Sequence, residues 1–546
     1  MERSRDLPLP PLLLAVVVVS QQALAPGSTD WPQWGGSPCR NNVSAAGPLP
    51  VQWDAGKWDR KTGRWVGASP QIRWVAKLGS QCYATPVVSG NRVFCATNNG
   101  AAYLPRYPDS VDLGCLLCFD RTDGRFLWQH SVEKHPAGKN VDWPEVGMCA
   151  SPLVEGDRLW VVTNRGEVVC LDVGGAGKES KPLWTFDMTR ELGVVQRYMA
   201  NGSVTAAGDL LLVATSNGRS VDNKVPAPEA PSFIALDKNT GKLVWADASP
   251  GENILDGQWS SPAFAVLGGV PQAIFAGGDG WVYSFEAAPS PDRKAKLLWR
   301  FDCNPKESVW EGAGSGERNT IVSTPVVHDG RVYVATGQDP ESGEGPADLW
   351  CIDPTRRGDT SAVLAVDRDG KPLAPRLRQA VDPEAGEKTV PNPNSAAIWH
   401  YRGSKAPGAQ RADEYQEAAV GGGGVNAEFQ GVFHRALGSP AIKDGLLVIG
   451  DHAGLVHCLD AKTGRAYWTC DLQSAIWGSP LVADGKIYLG DEDGDVVVFA
   501  LDKKLAVLAK NNLGAPVHST AVAAGRTLYI STAMHLFAIG QEDKPR

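Results

Sequence analysis

The sequence predicts an all-β protein, an eight-bladed β-propeller of four-stranded antiparallel blades, and three observations carry that prediction. A small residue, in most copies followed by Pro, recurs eight times, each time ahead of an apolar strand. Trp recurs on the fourth strand of these units, and the chain's 19 Trp outnumber its 13 Phe and its 11 Tyr. Finally, 60 Gly and 39 Pro are spread along 546 residues, which implies many tight turns. With 43% hydrophobic and 21% charged residues, the chain has apolar material for a large core and is not a disordered polymer.

The elements follow in order. Residues 1–26 read as a secretory signal peptide: Arg3 and Arg5 precede the apolar run Leu12 to Val19, and Ala23-Leu24-Ala25 supplies a small-residue cleavage pattern. That run is shorter than the ~20 residues needed to cross a bilayer. No later stretch is long and apolar enough to do so. The expectation is an exported chain, periplasmic or extracellular, with no transmembrane span after signal removal. Residues 27–70 form an irregular lead carrying Trp31, Trp34, Trp53, Trp58 and Trp65. The propeller occupies 71–540, and 541–546 is a tail.

Aligning the copies on their first step gives Thr85-Pro86, Ser151-Pro152, Ser203-Val204, Ser261-Pro262, Thr324-Pro325, Ser439-Pro440, Ser479-Pro480 and Ser519-Thr520. Pro fits the start of a strand, where a missing N–H costs least. The clearest copy runs from Ser439 through turns at Asp444-Gly445 and Ala453-Gly454 to Leu459-Asp460, then Thr463-Gly464 and Trp468. Asp and Thr cap neighbouring amides in such turns, and Gly supplies positive φ. A four-stranded sheet cannot bury both faces alone, so the copies stack around a ring with Trp sealing sheet to sheet. Fourth strands carry Trp74, Trp128, Trp184, Trp245, Trp299, Trp399 and Trp468, while the seventh copy has Leu505 to Leu508 instead. The eighth copy ends without a fourth strand, and Ile72 to Ala76 is available to complete it and hide both edges. An insertion at about 354–430 interrupts blade five, leaving between the third and fourth strands and ending near the flexible Gly421 to Gly424.

Charge and cysteine narrow the function classes. A net charge of -8 argues against a nucleic-acid-coating protein, which needs excess Lys and Arg. The 11 Cys are an odd number, so not all can pair within the chain. Cys118, Cys170, Cys351 and Cys458 share one repeat position, which suits a small buried packing residue. Cys115-x-x-Cys118 has no second pair at metal-site spacing.

The segment Ala235-Leu-Asp237-Lys-Asn-Thr240-Gly241-Lys-Leu-Val-Trp245 resembles the repeat of the PQQ-like (quinoprotein-type) propeller family, and Cys458 to Trp468 resembles it with one departure. The resemblance runs from about Ile72 to Ile539 and implies the propeller fold. It also implies two kinds of activity: envelope scaffolding, as in outer-membrane assembly propellers, or oxidation of alcohols and sugars by a quinone-dependent dehydrogenase. Its lead Asp30 to Gly36 resembles an exported subgroup of unknown activity. The implied cofactor would be PQQ with calcium, but there is no adjacent Cys pair and no Cys-x-x-Cys-His for haem, so cofactor use has no support from the residues.

In a propeller, loops ahead of the first strand of each blade, and loops joining the second and third strands, converge on one mouth of the channel. Ligand-binding residues expected there are Glu145, Tyr198, Asn201, Trp259, Arg318, His434, Arg435 and Trp477, with Arg318, His434 and Arg435 as cations placed beside Trp259 and Trp477 for an anionic ring. No metal ligands and no catalytic residues are assigned. Asp491-Glu492-Asp493-Gly494-Asp495 lies where a hairpin turn is due and is read as one, not as a calcium loop. Asn42 opens an Asn-x-Ser sequon, and no Gly-x-Ser-x-Gly elbow supports a hydrolase. The reading favours a binding or scaffold module that takes a small molecule or a protein partner at the mouth, with the dehydrogenase as the alternative.

Overall fold

Seven fourth strands carry Trp opposite a small residue of the third strand, and that pairing builds the sheets. The register places Cys118 opposite Trp128, Cys170 opposite Trp184, Ala235 opposite Trp245, Ser284 opposite Trp299, Cys351 opposite Trp399, Cys458 opposite Trp468 and Ala538 opposite Trp74. In each pair the register shifts immediately after the small residue, a bulge that sharpens the twist of the outer strand. The recurrent Cys is therefore the small side chain that leaves room for an indole. None of the 11 Cys is in a disulfide.

The computed structural model describes residues 29–59, 61, 64–312, 315–420 and 426–540. The expected signal segment, Gly421 to Gly424 and the tail lie outside them. Eight antiparallel sheets follow one another around a central axis, each running from an inner first strand to an outer fourth strand. Blade one is typical, with Val87–Ser89, Arg92–Asn98, Leu113–Asp120 and Phe126–Glu133. The ring closes as the repeats predict: Ile72–Lys77 pairs with His535–Gly540 as the outer strand of blade eight. Among the described residues the single α-helical turn is Met188–Leu192.

The sheets seal through an indole and a glycine. Trp74 Nε1 donates to the carbonyl of Arg121 at 3.0 Å, and Trp399 Nε1 to that of Ala461 at 3.1 Å, each in the third turn of the next blade. The Gly of that turn lies under the ring. At Gly124 and Gly241, both with φ above +70°, a Cβ would come within 2.6 Å of Trp74 and Trp184.

At the hub the small residues link the blades. The backbone N–H of Thr85 donates to Ser151 Oγ, Ser151 to Ser203, and Ser203 to Ser261, at 2.9–3.1 Å. The series resumes from Thr324 to Ser439, Ser479, Thr520 and back to Thr85. The hydroxyl, and not only the following Pro, explains why Ser or Thr recurs at this step. In the eighth copy the linking residue is Thr520, one place later than the sequence alignment puts it.

The lead does more than precede the ring. The residues three places after the small one turn their backbone N–H toward it: Val88 donates to Trp31, Val154 to Pro32, Phe264 to Pro38, Val327 to Cys39 and Val482 to Asn42. Ile442 pairs with the Asn41 side chain. Arg40, fully buried with φ +63°, sends its guanidinium to the carbonyls of Val204 at 2.8 Å and Pro262 at 2.9 Å. Burial lowers the Arg40 pKa to about 9, so the group remains charged at neutral pH. Asn42 is fully buried, which closes the sequon to a glycan in the folded chain.

Blade seven differs from the expectation in its outer strand, which is Val507–Asn512 with Ala509 opposite Val498. Its missing indole is compensated from the lead: Trp53 is buried there, and its backbone N–H donates to Asn511 Oδ1 at 2.9 Å. Blade five carries its excursion between Leu349–Ile352 and Ala397–Tyr401. There, Gly358–Asp359 adds in parallel to the outer strand of blade four, and Val363–Val366 pairs with Lys388–Pro391. After the fourth strand, Arg411–Ala419 adds in parallel to the outer strand of blade six.

Candidate functional site

The site is built from one residue per blade at a single repeat position. Two places before each linking hydroxyl stand Tyr83, Cys149, Asn201, Trp259, Val322, Leu437, Trp477 and His518, and all eight line a cavity of about 510 Å³ at the mouth of the channel. Because the offset is the same in every blade, strand geometry brings these side chains to one level. Deeper in, a cavity of about 140 Å³ is walled by the linking Ser and Thr residues other than Ser439, and Trp34 of the lead contributes to it. Trp34 Nε1 donates to Thr324 Oγ1 at 3.0 Å, which occupies the one hydroxyl left out of the inter-blade series.

Rings occupy two sides of the mouth. On one, Tyr198 stacks on Trp259 with centroids 6.3 Å apart, and Trp143 meets Tyr198 edge-on at 5.3 Å. On the other, Tyr83 stacks on His518 at 5.0 Å, and Trp477 lies 4.6 Å from His518. Glu492 holds Trp477 by accepting its Nε1–H at 3.1 Å. Burial lowers the His518 pKa, so its ring is neutral at pH 7, and burial pushes the Tyr83 phenol up to about 12.

The charges at the mouth are acidic. Asp339 and Glu341 line the cavity from a short turn in which Asp339 accepts the backbone N–H of Glu341 at 2.9 Å. Burial raises the Asp339 carboxyl to about 6. Among the described residues no Lys or Arg lines the cavity; Arg197, over the Tyr198 ring at 4.0 Å, is engaged by Asp256 at 2.8 Å. Rings that accept cations on their faces, together with carboxylates, suit cationic, aromatic or hydroxylated groups.

Of the residues expected at the site, Tyr198, Asn201, Trp259 and Trp477 line the cavity. The other four do not. Glu145 is exposed outside it, with its backbone N–H bonded to Asp112 and its carbonyl to Asn98. Arg318 is buried against Asp302 at 3.2 Å, in blade four. His434 is buried, its Nδ1 3.3 Å from Asp451, and Arg435 staples the carbonyls of Ser342, Gly343 and Gly316. Arg318, His434 and Arg435 are thus buried among carboxylates and carbonyls and do not stand beside Trp259 and Trp477 in the cavity. The acidic Asp491 loop is a hairpin turn, as expected, with Asp491 Oδ1 accepting the N–H of Asp495 at 3.0 Å.

Tyr83, Trp143, Asp339 and Glu341 were not foreseen. Tyr83 was findable, since it stands at the same offset as Trp259 and Trp477. The Asp339 turn belongs to no repeat position and gave no signal. Among the described residues no three His, Cys, Asp or Glu side chains converge to hold a metal ion.

The PQQ_2 family model, described as outer membrane protein assembly factor BamB, matches residues 58–174, 111–246 and 398–539. A curated relative of that description from Yersinia pestis is 24% identical over 290 residues, 52% of this chain and 64% of the relative. The match thus spans less than two thirds of that relative's length. Among solved structures, BamB from Moraxella catarrhalis aligns over 86% of this chain and 97% of its own, at 13% identity and a TM-score of 0.48. The quinohemoprotein alcohol dehydrogenase from Comamonas testosteroni aligns over 96% and 82%, at 12% identity and a TM-score of 0.45. No helix among the described residues is long and apolar enough to cross a membrane.

Proposed function

This chain belongs to the PQQ_2 propeller family described as outer membrane protein assembly factor BamB, and from that premise we propose that it is an exported binding scaffold whose channel mouth takes up a segment of a partner protein. The observation that carries this reading is the collar of eight side chains at one repeat offset, rich in rings and flanked by Asp339 and Glu341. Aromatic side chains supply contact area at low entropic cost, which is why they dominate protein-binding hot spots. The acids select partner segments bearing Lys, Arg or aromatic groups over acidic ones. The description of its relatives as assembly factors for outer membrane proteins supports a partner from that assembly process.

Capture from cell-envelope extract by the immobilised full chain tests the proposal. The Trp259→Ala, Trp477→Ala double variant, folded by circular dichroism, is expected to lose the captured partner. Undiminished capture would remove the mouth as the binding surface. Dye reduction with alcohols or sugars after reconstitution with PQQ and Ca²⁺ is expected to give no turnover; sustained turnover would replace the scaffold reading with the dehydrogenase.

A further inference from the structure

A second cavity, of about 250 Å³, lies at the outer end of blade four, beneath the excursion from blade five. Its room equals about eight waters at ~30 Å³ each. Leu364, Ala365, Leu373 and Ala380 of the excursion form an apolar side. The opposite side is charged and built from the blade itself. There Lys306 and Arg318, both more than nine-tenths buried, share the single carboxylate of Asp302, at 2.7 and 3.2 Å. Lys306 Nζ also sits 4.5 Å over the Trp281 ring.

The charges at this wall do not balance. Arg300 and Arg376, also on the cavity, have their own partners in Asp359 at 3.7 Å and Glu387 at 2.6 Å. Asp279, on the same blade, is occupied by Tyr283 at 2.5 Å, and burial pushes it up to about 7, so it is only partly charged at neutral pH. Two buried cations thus face one full carboxylate, and Arg318 Nε, buried, has no hydrogen-bond partner. An uncompensated cation inside a protein costs several kcal/mol unless an anion reaches it. The wall is rigid: Lys306, Asp302 and Trp281 stand on blade four, and the backbone of Val381 is tied to the Lys306 carbonyl. The exposed strap at Pro372 and Ala374 borders the cavity and gives it a route to solvent.

We infer that this cavity is a binding site for a small monocarboxylate with an apolar or aromatic body, whose carboxylate completes the charge of Lys306 and Arg318. The body lies against Trp281 and the excursion's apolar side chains. The site is separate from the mouth and stands whether or not the mouth binds a partner.

The probe is 3-phenylpropanoate, titrated calorimetrically into the full chain, with 3-phenylpropanamide as the uncharged isostere. The acid is expected to bind and the amide to bind at least about tenfold more weakly, since charge-assisted bonds are roughly twice as strong as neutral ones. Filling the cavity with Ala365→Trp, a half-buried position away from the ion cluster, is expected to abolish binding with the melting temperature retained. Arg318→Gln, where it folds, should reduce the preference for the acid. The Trp259→Ala, Trp477→Ala variant should bind the acid like the parent. No binding of the acid, equal binding of acid and amide, or loss of binding in the mouth variant would each overturn the inference.

Discussion

Trp74 of the last blade lies flat over Gly124 of the first, so close that a Cβ on that glycine would sit 2.6 Å from the indole. The same contact joins Trp184 to Gly241, Trp128 to Gly175 and Trp399 to Gly464. The glycine of the third turn and the Trp are therefore two halves of one seal, contributed by neighbouring blades.

Gly241→Ala should cost more than Gly208→Ala, although both glycines have positive φ. At Gly208 nothing lies within 4 Å, and only the left-handed backbone is penalised, by about 1–2 kcal/mol. At Gly241 the ring of Trp184 must also move, adding about 1–3 kcal/mol of overpacking. Urea denaturation midpoints measure the difference, and equal losses would contradict the seal.

Arg40→Met should destabilise the chain by about 3–5 kcal/mol, because carbonyls of Trp34, Val204 and Pro262 lose their donor in a dry environment. An exposed control such as Arg190→Met should change stability by less than about 0.5 kcal/mol. A melting temperature unaffected by Arg40→Met would mean that the lead does not hold the hub together.

Asp339 sets a pH dependence. Burial raises its carboxyl to about 6, so between about pH 4 and 6 the folded chain holds a proton there that the unfolded chain has released. Its contribution is favourable at low pH and is lost as the pH rises through about 6. Asp339→Asn keeps the acceptor for the Glu341 N–H and should be more stable than the parent by about 1–2 kcal/mol at pH 8, with no advantage at pH 4. An advantage independent of pH would refute the assignment.

Thiol titration should find 11 reactive groups after denaturation and slow reaction in the native chain. Burial raises the thiols of Cys115, Cys118, Cys149 and Cys458 well above their ordinary range, which starves them of thiolate at pH 8. Rapid native labelling at Cys118 or Cys458 would contradict their packing against Trp128 and Trp468.

The ring was legible in the sequence because each blade repeats its own chemistry: a hydroxyl and Pro at the hub, a capped Gly turn, and Trp at the rim. Half of the mouth was legible for the same reason, since Trp259 and Trp477 stand at a repeat offset. Arg318, His434 and Arg435 misled because a loop position near the mouth does not fix where a long side chain points. Asp302, Asp451 and the carbonyls of Gly316 and Ser342 draw them inward, and nothing periodic marks those partners. The role of the lead was illegible because it meets the inner strands through carbonyls, which any residue provides; only Arg40 and the Trp hinted at burial.

Between Trp31 and Asn42 the lead hands acceptors to the inner strands of six blades, so the hub is held from within as well as from blade to blade. A guest that enters beside Trp259 and Trp477 faces, deeper in, a wall to which the Trp34 indole contributes, pinned there by its bond to Thr324. With about 510 Å³ of room, the collar suits the tip or a single turn of a segment better than its full length.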